Sequence, residues 1–187
     1  MTPAGLPEPR ILAEIGVPTA ARMRCLGRQL APLLRAGDLI VLNGQLGAGK
    51  TTLVQGIGDG LGVRGPVTSP TFVIARIHPA LHGGPALVHV DAYRLSSPAE
   101  VDDLDLDADL ERSVTVVEWG GGLVEGLASS WLDVTIAAAG SGADPAQDTG
   151  GEAAEADQPR TVLLTGRGER WAAVARSLQL ALSGATG

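Results

Sequence analysis

Gly44-Gln45-Leu46-Gly47-Ala48-Gly49-Lys50-Thr51 fits the pattern G-x-x-x-x-G-K-[ST], and each residue type in it has a role in gripping phosphate. Glycines let a short loop take up positive φ and bring the main chain close to an anion. Successive N–H groups and the start of a following helix then point at that anion. In such a loop Lys50 reaches the β- and γ-phosphates, the Thr51 hydroxyl ligates Mg2+, and Thr52 sits near the α-phosphate. A chain of this composition would hold about 0.002 such matches by chance. Lys50 is also the single lysine among 14 basic residues. Arginine serves almost everywhere else, so a compact ammonium stands where a planar fork does not suit.

A magnesium-nucleotide site needs a further carboxylate at a strand end. Two candidates qualify, Asp91 after Leu87-Val88-His89-Val90 and Glu118 after Val114-Thr115-Val116-Val117. Both follow apolar runs and can sit at the sheet edge beside the phosphates. The residues alone leave the choice between them open.

The elements that must position these groups can be read from periodicity and punctuation. Short apolar or alternating runs predict strands at Arg10–Ile15, Leu39–Asn43, Phe72–Ile77, Ala86–Asp91, Ser113–Glu118, Trp131–Ala138 and Thr161–Thr165. A helix begins after Thr19 as N-cap, with Met23, Leu26, Leu30, Leu33 and Leu34 on one face, and stops at Gly37. Thr51–Leu61 continues the glycine loop as a helix whose end Gly58, Gly60 and Gly62 soften. Thr68–Thr71 is a loop, since Pro70 holds its predecessor extended. His78–Pro85 reads as a turn with His78 and His82 solvated, Pro98–Leu110 as short acidic helical turns, and Leu123–Ala128 as a helical turn. Glu169–Leu182 is a last helix, with Trp171, Val174, Leu178 and Leu182 inward. Strands alternating with helices imply an α/β layer fold. The expectation is one P-loop NTPase-like domain over 1–187, with a mixed, mostly parallel sheet flanked by helices.

Composition narrows the function classes. The chain has 187 residues, 44% hydrophobic and 19% charged, enough for a real core. One cysteine, Cys25, excludes a disulfide framework. No apolar run is long enough to span a membrane, and no secretion signal is visible, so the expected location is the cytoplasm. Of the net charge of −7, five acids fall in 138–158, which holds no basic residue, leaving the body near −2. That stretch is low in complexity and reads as a disordered acidic loop over 139–158. No basic stripe suggests direct nucleic-acid binding.

The strings GQLGAGKTT (44–52), SPTF (69–72), HVDAYRL (89–95) and VEWG (117–120), in this order and in so short a chain, resemble the bacterial TsaE ATPase family. The resemblance covers about residues 17–138 plus the last strand and helix. It implies a Mg-dependent ATPase, weak alone, required for threonylcarbamoyl modification of adenosine 37 in tRNA. Its implied partners are TsaB and TsaD, with tRNA reached only through their complex. Gly44, Leu46, Gly47, Ala48, Gly49, Lys50, Thr51 and Thr52 would hold ATP. Ala20, in the turn with Thr19, and Arg160 would lie near the adenine. Thr51 and Glu118 would hold Mg2+, Thr71 would sense the γ-phosphate, and Asp91 would orient the attacking water. The chain departs from the family pattern at Gln45, where an acidic residue is usual, and at Leu104-Asp105. Its 139–158 tract is also long for the family.

Other residues carry plainer readings. His89 is a packed or hydrogen-bonded strand residue on Asp91's face, Cys25 a helix-core residue, and Trp119 either core or an exposed partner contact at the site's rim. A P-loop small-molecule kinase is the alternative function, but it needs an arginine-bearing lid, and 98–111 has no arginine. A guanine-nucleotide switch needs a second lysine in N-K-x-D, which the chain lacks. A non-hydrolysing nucleotide clamp is the fourth reading.

Overall fold

The computed structural model describes residues 8–70, 74–102, 110–139 and 158–183. Seven strands form one sheet: β1 (Pro9–Val17), β2 (Leu39–Gly44), β3 (Ala75–His78), β4 (Ala86–Asp91), β5 (Ser113–Glu118), β6 (Trp131–Ala138) and β7 (Arg160–Arg167). Their order is β1-β7-β6-β2-β5-β4-β3. β6, β2, β5 and β4 are mutually parallel, and the flanking pairs β1–β7, β7–β6 and β3–β4 are antiparallel. Five of the seven strands therefore run one way. The parallel centre is apolar because both faces are covered. All six residues of β5 are buried.

One face carries α1 (Ala20–Leu30), α2 (Lys50–Leu61) and α4 (Glu169–Ser183). Met23, Leu26, Leu53, Ile57, Trp171 and Leu178 pack there against Ile40, Leu42, Leu87, Val116 and Leu164. The other face buries Leu39, Val41, Val90, Val117 and Trp131 under Val101 of α3 (Pro98–Asp102), Leu110 and Val124. Alternate strand residues feed the two cores, as a period of two requires.

Several expected boundaries move, each for a local reason. α1 ends at Leu30 and a 3-10 turn, Ala31–Leu33, follows. Pro32 has no N–H to continue the helix and starts the tighter turn instead. β3 begins at Ala75, and Ile74 before it has φ 69°, outside the strand region; Phe72 and Val73 lie outside the described residues. His78 is not a solvated turn residue but pairs with Leu87 and is buried. His82 is exposed, as expected.

The glycines of α2 leave the helix unbroken. The helix runs unbroken to Leu61, and Gly62 closes it in the left-handed region, its N–H bonding to Asp59 and Gly58 carbonyls. A Cβ on Gly58 would come within 2.6 Å of Val67 Cγ2, and one on Gly60 would overlap the Ala31 methyl. Gly56 of α2 and Gly27 of α1 meet backbone to backbone, so α1 and α2 touch with no side chain between them. Arg24 on α1 adds a two-pronged ion pair to Asp59 on α2, at 2.7 and 3.1 Å.

Candidate functional site

The glycine-rich loop joins β2 to α2 at the carboxyl edge of the parallel strands, where open α/β sheets bind ligands. Gly44 ends β2 with its Cα against β6, and a Cβ there would lie 2.6 Å from the Ile136 carbonyl oxygen. Gly47 has φ 75° and Gly49 φ 103°, both positions that favour glycine. Ala48 is buried in the helix-side core and pins the loop, whereas Leu46 is 86% exposed at its tip. Gly49 is the N-cap of α2, so Lys50, Thr51 and Thr52 form its first turn with their N–H groups at the loop.

Lys50 is buried. Its Nζ donates to the carbonyls of Gly44 and Gln45, each at 2.8 Å, and lies 3.8 Å from the centroid of the Trp119 ring. Burial lowers its pKa from the ordinary lysine value, opposed by the negative charges of Glu118 and Asp91. The ammonium is thus held over an aromatic face, an arrangement that favours a cation. Trp119 reaches this place because its backbone turns left-handed, φ 63°, directly after β5. Its N–H still bonds to the Leu42 carbonyl at 2.9 Å. Tyr93 meets the Trp119 ring edge to face, centroids 5.4 Å apart. Trp119 is therefore the floor under Lys50, a role neither of its sequence readings contained.

Glu118 and Asp91 are register partners at the ends of β5 and β4, and both are buried. Glu118 Oε1 accepts from Thr51 Oγ1 at 2.9 Å and lies 2.8 Å from His89 Nε2. Asp91 Oδ1 accepts from the Tyr93 N–H at 3.1 Å, a turn that fixes the carboxylate at the strand's exit. Thr51 and Glu118 offer hard oxygen donors side by side, a set that suits Mg2+.

Beside the loop lies a cleft of about 230 Å³ lined by Thr19, Ala20, Met23, Gly47, Ala48, Gly49, Thr52, Gln158 and Arg160. Ala20 and Arg160, from the start of α1 and the start of β7, thus share one cleft with the loop. Thr19 caps α1 there, accepting from the Arg22 N–H. Met23 was not expected at the site; its place on the first turn of α1 was the available signal. Thr71 and the Leu104-Asp105 pair lie outside the described residues, as does 140–157 of the acidic tract. Among the described residues no helix is long and apolar enough to cross a membrane.

Sheet order, glycine loop and first-turn Lys-Thr together define an α/β protein with a mostly parallel seven-stranded sheet and a glycine-rich loop between a central strand and a helix. The profile of the family described as Threonylcarbamoyl adenosine biosynthesis protein TsaE matches residues 17–144. A Streptomyces coelicolor protein named tRNA threonylcarbamoyladenosine biosynthesis protein TsaE is 60% identical over 151 residues, 80% of this chain and 94% of its own. A Mycobacterium tuberculosis protein of the same name is 54% identical over 118 residues, 59% of this chain and 70% of its own. The chain belongs to the TsaE family. In fold it is similar to the crystal structure of Bacillus subtilis YdiB, with TM-score 0.68, 24% identity, and coverage of 92% of this chain and 97% of that one.

Proposed function

We propose that this chain is the ATP-binding and ATP-hydrolysing subunit for threonylcarbamoyl modification of adenosine 37 in tRNA. It acts in the cytoplasm with the TsaB–TsaD transferase complex and meets tRNA only through that complex. The relatives' names support the role in threonylcarbamoyladenosine biosynthesis. The observation that carries the ATP reading is the Thr51–Glu118 hydrogen bond at the foot of a glycine cradle holding a buried lysine.

In this reading the amides of 44–52 and the Lys50 ammonium bind the triphosphate. The cleft between Ala20 and Arg160 takes the adenine. Thr51 and Glu118 hold Mg2+, which neutralises charge on the β- and γ-phosphate oxygens. Asp91 orients the attacking water, and Thr71 senses the γ-phosphate. Among the described residues Lys50 is the cation whose ammonium lies within the loop itself, and a partner completes the site, so turnover alone is slow.

The test is ATP turnover with and without TsaB and TsaD, for wild type and Lys50→Ala. Turnover is expected to rise with the partners and to vanish in the variant. Wild-type turnover that ignores the partners overturns the subunit assignment. A phosphorylated small-molecule acceptor appearing with ADP would favour a kinase instead.

A further inference from the structure

His89 is fully buried, on the same strand face as Asp91 and two residues before it. Its Nε2 lies 2.8 Å from Glu118 Oε1, reaching across the β4–β5 pair from the register position opposite Val116. Thr51 Oγ1 meets that same oxygen at 2.9 Å. Three elements, β4, β5 and the first turn of α2, therefore converge on one carboxylate oxygen. The other side of the imidazole is different: Nδ1 is buried with no hydrogen-bond partner.

We propose that His89 is a positioning residue for Glu118: its Nε2–H fixes the carboxylate through Oε1 and leaves Oε2 clear of both bonds for a Mg2+ ion held with Thr51. This rests on the reading of Glu118 as a magnesium ligand given above. Packing alone does not call for a histidine here. A leucine would fill the space without burying an unpartnered nitrogen, which is a cost to stability. The tautomer follows from the same geometry. The bond to a carboxylate needs a proton on Nε2, and a second proton on Nδ1 would be a buried donor with nothing to accept it. The neutral Nε2–H imidazole satisfies both conditions. Groups that orient a metal ligand in this way commonly govern metal affinity by 10–100-fold.

The experiment is calorimetric ATP binding to the full chain, in Mg2+ and in EDTA, for wild type, His89→Leu, His89→Gln and His89→Asn. The quantity read is the ratio of the two affinities. In His89→Leu that ratio is expected to fall by about tenfold or more, while affinity in EDTA stays within about twofold of wild type. Glutamine carries its amide nitrogen near the place of Nε2 and restores most of the ratio. Asparagine carries its own near Nδ1 and does not. Should His89→Leu fail to fold, the Gln–Asn pair decides. The proposal is overturned if Gln and Asn give the same ratio, or if His89→Leu keeps the wild-type ratio or loses both affinities equally. A wild type whose ATP binding ignores Mg2+ removes the magnesium reading of Glu118 first, and this inference with it.

Discussion

Two buried carboxylates lie at opposite edges of the sheet and are treated in opposite ways. Asp38 precedes β2 at the amino edge; Glu118 closes β5 at the carboxyl edge. They are about equally buried, 2% and 4% exposed. Asp38 is saturated by charge: Arg170 donates from Nε to Oδ1 and from Nη2 to Oδ2, both at 2.9 Å, and the Arg35 N–H adds a third bond. Arg170 also closes on the Leu33 carbonyl at 2.7 Å and packs over Trp171. Glu118 receives a hydroxyl and an imidazole, while nearby Lys50 gives its bonds to carbonyls. One edge pairs its charges and the other keeps them apart. A paired edge fastens the fold; an unpaired one is, in the proposed reading, where a polyphosphate and its counterion would sit.

The largest expected effect is at the fastened edge. Arg170→Met should leave Asp38 as an uncompensated buried charge, a loss of about 3–5 kcal/mol. Urea unfolding measures it, and ATP affinity of the folded fraction should be unchanged. An equal loss of ATP affinity would erase the distinction between the edges.

Lys50→Met should do the reverse. In the proposed reading Lys50 faces the transferred phosphate, and removing such a donor typically costs about 100-fold or more in rate, read as partner-stimulated turnover. Its stability should match or exceed wild type, because burial works against the ammonium. A strongly destabilised Lys50→Met would show that the lysine serves the fold instead.

Gly56→Ala probes the helices that carry the open edge. The new methyl would strike the Arg24 carbonyl on α1, and overpacking of this kind costs about 1–3 kcal/mol. Since α1 brings Ala20 and α2 brings Thr52 to one cleft, ATP affinity should weaken along with the thermal midpoint. Loss of stability without weaker ATP binding would uncouple the helix contact from the cleft.

The two edges also differ in how well sequence exposes them. The glycine loop is legible because its residue types recur at fixed local spacing, and the loop lies between β2 and α2 as that pattern requires. Strand ends at Asp91 and Glu118 were legible from apolar runs, and strand parity already put His89 on Asp91's face. Its bond to Glu118 depends on the β4–β5 register, which no local pattern states. Asp38 and Arg170 stand 132 residues apart, and neither has a local signature. Trp119 was hidden because a left-handed tryptophan is an exception to the steric rule. The glycines of α2 carry a packing role that the sequence does not announce, for a related reason. A glycine weakens an isolated helix, but here each one admits a neighbour that only the tertiary structure identifies.

His78 gives the smallest effect and tests the fastened side by pH. It stands opposite Leu87, near the start of β4, buried with Nε2 unpartnered. Burial lowers its pKa from the ordinary histidine value of 6.5, with the Arg76 charge pushing the same way. The unfolded chain therefore binds a proton that the folded chain resists. Stability attributable to His78 is intact above pH 6.5 and declines as the pH falls from there toward the lowered folded value. The slope for one proton cannot exceed about 1.4 kcal/mol per pH unit. Urea unfolding from pH 7.5 to 5.5 should show this decline, and His78→Phe should flatten it while leaving ATP affinity at pH 7.5 as in wild type. An unchanged slope in His78→Phe would move the acid sensitivity elsewhere, and a change in ATP affinity would mean that the two edges communicate across the sheet.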